Sequence, residues 1–92
     1  MATHKLKILP DFFEATLSWD KLFETRKNDR DYKVGDDLEL WEWDTDTGTY
    51  SGRHIFAGVS YILSDPQFVP VGYITMGIRI NGRCLTLGNI PE

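Results

Sequence analysis

"KLFETRKNDRDYKVGD", residues 21–36, holds five of the ten lysines and arginines of a 92-residue chain whose formal net charge is −4. Its first half alternates as a strand does, which places Leu22, Glu24 and Arg26 on one face and Phe23 and Thr25 on the other. Residues 28–32 form a polar connection, and Val34-Gly35-Asp36 is a tight turn into a further strand over 37–43. Taken alone, such a segment is a solvated strand and turn, with ion pairs contributing ~0–1 kcal/mol each. Glu24, Asp29 and Asp31 are interleaved among its cations, and the charges alone leave open a nucleic-acid binder, an enzyme or a merely solvated loop.

Upstream, residues 5–9 form a short opening strand. Pro10 suits the first turn of a helix, and Asp11 and Glu14 put acid near its positive end. Phe13 and Leu17, with Thr16 or Phe12, supply an apolar stripe, which predicts a helix over 10–19. Downstream, "DTDTGT" at 44–49 is turn chemistry, and residues 50–63 are a long β-rich stretch bent near Gly52 or Gly58. Residues 64–72, with Pro66 and Pro70, make a loop before a β-branched strand over 73–80. Asn81-Gly82 then predicts a two-residue hairpin, with 83–87 returning from it. One helix and five or six strands give an α+β fold with a small barrel-like sheet.

Ninety-two residues make one domain and one core. Hydrophobic residues at 41%, with 13% aromatic, exclude a disordered tail. No apolar run approaches the ~20 residues that span a bilayer, and no signal peptide precedes the first strand. Cys84 has no second cysteine to pair with, so a cytoplasmic domain without membrane association is expected. The acidic balance argues against indiscriminate binding to DNA or membranes, although with a Debye length of ~8 Å five clustered cations still act locally. His4, His54 and Cys84 lie in no metal-ligand spacing, and no nucleotide-phosphate or serine-hydrolase motif occurs, so no metal and no cofactor are expected. Trp41 and Trp43 face one side of a strand, as a plug or core element or as a stacking surface for a base. The run Asp36, Asp37, Glu39, Glu42, Asp44 and Asp46 is a solvated face and turn, or else a surface for a protein partner.

The string Lys21-x-x-Glu24-x-Arg26-Lys27-Asn28-Asp29-Arg30 is joined by "KILP" at 7–10, "FEATLS" at 13–18, "LWEWD" at 40–44, "YSGR" at 50–53 and "GYITMGI" at 72–78. Together these resemble the ASCH domains of the PUA-like superfamily, in particular a small bacterial and bacteriophage branch of the DUF3850 type. The likeness covers about residues 5–80, with 81–92 a hairpin extension within the single domain 1–92. It implies a PUA-like barrel of five to six strands, with one N-terminal helix crossing its mouth and a cleft that takes RNA or a nucleotide-like small molecule. The same likeness puts Lys21, Glu24 and Arg26 in the cleft, Lys27, Asn28 and Arg30 at its rim, and Arg53 as a further contact.

Two departures bear on the cleft. The family commonly carries Gly at the position of Trp19 and a small polar residue at that of Leu22. A glycine would end the helix left-handed, so either the turn differs or Asp20 takes that conformation while Trp19 overhangs the cleft. One ASCH branch resembles amidohydrolases that deacylate modified cytidine with a Lys, a Thr three residues later and a Glu. Here that Thr position is Glu24, and Thr25 points to the other strand face, so a binding module is expected in preference to an enzyme. The alternatives are that amidohydrolase and a phage or bacterial accessory protein that acts on a protein partner.

Overall fold

The computed structural model describes residues 1–91, in which β1 (Thr3–Ile8), α1 (Pro10–Leu17), β2 (Phe23–Lys27), β3 (Asp37–Asp44), β4 (Thr49–Leu63) and β5 (Tyr73–Cys84) follow one another. Alternation builds the sheet. His4, Leu6 and Ile8 of β1 are buried while Thr3, Lys5 and Lys7 are exposed, and the other strands bury one parity over most of their length. The spatial order is β1-β3-β4-β5-β2, with β1 parallel to β3 and every other pair antiparallel. The first two strands of the chain are therefore the two edges of the sheet. The sheet curls into a half-barrel whose inner face is filled by Leu6, Ile8, Leu38, Leu40, Ile55, Val59, Ile74, Met76 and Ile78. Among the described residues no helix is long and apolar enough to cross a membrane.

Helix α1 connects the edges and packs Phe13, fully buried, and Leu17 against that inner face. It starts where Pro10 fixes the first turn and Asp11 adds acid to it. Buried Thr16 is compatible with the apolar side because its hydroxyl donates to the Phe12 carbonyl at 2.8 Å. The helix ends with Trp19 donating to the Thr16 carbonyl at 3.0 Å and Asp20 to the Ala15 carbonyl at 2.9 Å, the two bonds of a Schellman cap. That cap requires a left-handed residue, and it is Trp19 itself, at φ 67°, not Asp20. The indole does not line the cleft described below and is 57% exposed.

Three further differences from the sequence reading have physical reasons. Asn81-Gly82 makes no turn. Ala57 pairs with Ile80 and Phe56 with Gly82, so Asn81 is the extra residue of a β-bulge and β5 runs on to Cys84. The fifteen-residue β4 offers backbone partners as far as His54, and continuing that ladder satisfies more groups than reversing the chain would. Residues 85–91 then cross β4 at Gly52, where the Gly88 N–H donates to the Ser51 carbonyl at 2.9 Å. A Cβ at Gly52 would lie 2.5 Å from the backbone nitrogens of Gly88 and Asn89, so the crossing needs glycine. The last residue of the expected extension, Glu92, is outside the described residues. Trp41 and Trp43 do share a side, but it is the convex one, where Trp41 stacks on His54 at 3.7 Å and both indoles meet Tyr50 edge-on.

A left-handed Trp is strained relative to Gly by about 1–2 kcal/mol, partly offset by the greater freedom of an unfolded glycine. Trp19→Gly is expected to raise stability by about 1 kcal/mol, seen as a higher urea midpoint at unchanged slope. Trp19→Ala, which keeps the Cβ, is expected to gain nothing. A lower midpoint for Trp19→Gly would show that the indole makes contacts worth more than the strain.

Candidate functional site

Glu24 sits on β2 opposite Met76, an inward position that the neighbouring strands fill with apolar side chains, and it is 3% exposed. A buried carboxylate is tolerated only when it is paired and hydrogen-bonded. Lys21 donates from Nζ to Oε2, and Arg26 donates from Nε and Nη2 to Oε1 at 3.0 and 2.8 Å. The Schellman cap brings Lys21 there by turning the chain directly out of α1. Strand alternation brings Arg26 to the same inner face as Glu24.

Arg26 has a second task. Its Nη2 also donates to the Lys7 carbonyl at 2.6 Å, and Arg30 donates from Nη1 to the Lys5 carbonyl at 3.0 Å. Lys5 and Lys7 belong to β1, the opposite edge of the sheet, which has no backbone ladder with β2. Two guanidinium groups thus bridge the seam of the half-barrel in place of a run of backbone bonds.

Along this seam lies a pocket of about 420 Å³, within the range of small-molecule sites. Lys7, Ile8, Leu9 and Phe12 form one side, and Lys21, Phe23, Glu24, Thr25 and Arg26 the other. Phe12 is 52% exposed and Phe23 47%. The Lys21 ammonium lies 5.7 Å from the first ring centroid and 5.0 Å from the second. The result is a cleft with two phenyl rings at its sides and a cation–carboxylate–cation triad at its base.

The structure brings together Lys21, Glu24 and Arg26 here. Lys27 and Arg30 lie past Arg26 along the same seam. Asn28 lines neither cavity, and its backbone N–H donates to the Gly72 carbonyl at 2.9 Å. Arg53 is elsewhere. It donates to Glu42 at 3.0 and 2.8 Å and to Glu14 at 2.6 Å, with its guanidinium 4.7 Å from the Phe13 ring centroid. Hydrogen bonding to Glu42, then to Glu14, raises the Arg53 pKa further above its ordinary value. Arg53 therefore latches α1 onto the sheet and acts on the cleft only by holding the helix that carries Phe12.

Sequence reading missed Lys7, Leu9, Phe12 and Phe23. Of the two residues offered as completing the stripe of Phe13 and Leu17, Thr16 is the buried one, which leaves Phe12 exposed to line the pocket. Phe23 reaches the pocket despite its outward parity because the cavity wraps the free edge of β2. Thr25 lines the pocket too, yet its hydroxyl pairs with that of Thr75 at 2.8 Å and not with Lys21. The acids of the 36–46 run do not form one surface. Asp36 binds His4 at 2.8 Å, Glu39 accepts from Trp41 Nε1 at 3.0 Å, and Glu42 is held by Arg53 and by Ser51 at 2.6 Å. Among the described residues no group of three His, Cys, Asp or Glu could hold a metal ion.

A curled five-stranded half-barrel with one helix, closed by arginine across its seam and holding a mixed-charge pocket there, defines a small α+β domain with a preformed cleft. The chain belongs to the DUF3850 family, a domain of unknown function, whose model matches residues 3–78. It is also 38% identical over 64 residues to the "Uncharacterized 12.9 kDa protein in GpA 3'region" of Escherichia phage P2, over 67% of this chain and 57% of that protein. The chain thus spans little more than half the length of that curated relative. The family match includes every residue of the pocket and stops before the bulge at Asn81.

Arg53 generates a stability prediction. Hydrogen bonding from Arg53, with help from Ser51, holds Glu42 below its ordinary carboxylate value against the opposing effect of burial. His4 does the same for Asp36, assisted by the backbone N–H groups of Lys33 and Ala2. Both folded-state values are depressed. Their stabilisation is therefore present above the unfolded values, near 4.5 and 3.8, and is lost as pH falls through the folded ones. Arg53→Met leaves Glu42 buried and unpaired, so a loss of about 3 kcal/mol at pH 7 is expected, with a shallower fall on acidification than in the wild type. Urea titrations from pH 3 to pH 7 measure both effects.

Proposed function

We propose that this is a PUA-like, ASCH-type binding module that takes RNA or a nucleotide-like small molecule in the seam pocket. The observation that carries the reading is the buried Glu24 between Lys21 and Arg26 at the base of a cleft flanked by Phe12 and Phe23. Each part has a use in holding a base. Stacking on an aromatic ring contributes about 1–3 kcal/mol per base. A carboxylate accepts from an exocyclic amine, and Glu24 retains one lone pair, on Oε2, beyond those given to its two cations. Lys21 and Arg26 can donate to a carbonyl or a phosphate oxygen. The pairing also makes the pocket selective, because the fixed carboxylate repels a simple anion that two cations alone would attract.

Such a module would work in the cytoplasm, without a membrane and without a cofactor. An accessory role through a protein partner on the acidic segment has less support, since Asp36, Glu39 and Glu42 are held by internal partners. The amidohydrolase reading lacks its nucleophile, because the group beside Lys21 is a carboxylate and the hydroxyl of the adjacent Thr25 is paired with Thr75.

Equilibrium titration with the four ribonucleosides and short single-stranded RNAs tests the proposal. Lys21→Ala and Phe23→Ala are each expected to weaken binding about ten- to a hundredfold, while Asp46→Asn leaves it unchanged. Equal affinity of wild type and the Lys21→Ala/Phe23→Ala double variant would end the reading. Incubation with N4-acetylcytidine is expected to release no cytidine. Turnover that vanishes in Glu24→Gln would establish an enzyme with Glu24 as general base acting on water.

A further inference from the structure

Beyond Arg26 the seam continues into a smaller cavity of about 160 Å³, lined by Leu6, Arg26, Lys27, Asp29, Arg30 and Tyr32. Arg26 lines both cavities, so the two adjoin at that residue. We infer that this smaller cavity is a phosphate subsite for the nucleotide whose base enters the larger pocket. The inference rests on the base-binding reading and extends it from a nucleobase to a charged nucleotide.

Three cations face one carboxylate, Asp29, among the lining residues. Their states differ in a way that suits an incoming anion. Arg30 is fixed by its bond to the Lys5 carbonyl through Nη1, so its guanidinium is already oriented while its other nitrogens carry donors. Arg26 is likewise held, through Nε and Nη2. Lys27 makes no side-chain hydrogen bond or ion pair among the described residues. It is exposed on the last position of β2, a mobile donor beside two fixed ones. Forked guanidinium donors and a point-charge ammonium are the usual partners of a phosphate. Tyr32, which also lines the cavity, is buried against His4, with ring centroids 4.6 Å apart, and burial raises the pKa of its phenol.

Size permits the same assignment. The cavity has room for about five waters at their liquid volume, enough for a phosphate group. Solvent screening also leaves a local positive site effective in an acidic protein, because charges farther than ~8 Å away are largely damped.

The test compares, by isothermal titration at fixed low salt, each ribonucleoside with its 3′- and 5′-monophosphates and with inorganic phosphate. For one of the two monophosphate series, the ratio of its affinity to that of the parent nucleoside is expected to be about tenfold or more. In Lys27→Ala that ratio is expected to fall several-fold, and in Lys27→Glu to reach one or below. Lys27 takes no part in closing the seam, and matched melting curves verify that the variants fold. Nucleosides that bind while neither phosphate adds affinity overturn the subsite and leave the base pocket standing. A tenfold ratio that survives in Lys27→Glu overturns it as well. Inorganic phosphate that binds through Lys27 while no nucleoside binds supports an anion site here and overturns the base reading. Binding of none of these probes overturns both.

Discussion

One buried carboxylate organises this protein. Glu24 occupies an inward strand position beside a core cluster of apolar side chains, and leaving such a group unpaired would cost several kcal/mol, comparable with the margin by which small domains are stable. The fold has to deliver two cations to it. Lys21 arrives because α1 ends in a tight left-handed cap, and Arg26 arrives because β2 alternates. Arg26 then spans to Lys7 and ties the first edge of the sheet to the last. Helix termination, strand register and closure of the half-barrel thus all converge on the charge pair that also forms the base of the cleft. At the base of the pocket, site and scaffold are one set of bonds.

Much of this is visible in the residues themselves. The face shared by Glu24 and Arg26 follows from period two, and the start of α1 follows from Pro10 and the acid behind it. What the residues do not reveal is adjacency set by curl. β1 and β2 are separated in the sheet by three other strands, so nothing local says that Lys7 or Leu9 will meet Phe23. Arg53 illustrates a second limit. Its position in a matching motif suggested a ligand contact, but Glu14 on α1 and Glu42 on β3 claim its donors, and that competition exists only once helix and sheet are packed. At Asn81-Gly82 a strong turn signal loses to a long neighbouring strand, a case of tertiary pairing overriding local propensity. At Trp19 the reverse holds, because a hydrogen-bonded cap imposes a conformation that the side chain disfavours.

The convex face follows a different logic. There Trp41 lies flat on His54, Lys7 places its ammonium 3.9 Å from the Trp43 ring centroid, and the final segment crosses at Gly52. Lys7 links the two sides of the molecule. Its carbonyl is bonded within the seam by Arg26, its side chain lines the pocket, and its charge rests on an indole of the outer layer. Packing on the convex face thereby fixes where one wall of the cleft stands.

A barrel closed by a backbone ladder has a circumference set by strand count and stagger, and changing it means rebuilding the fold. This half-barrel is fastened by side chains, so its gauge is a matter of side-chain length. Lineages with this architecture can therefore widen, narrow or re-charge the opening by exchanging single residues on β1 or β2, while the hydrogen-bond register of the other strands stays untouched. A clasp of this kind separates the width and charge of the opening from the frame that carries it.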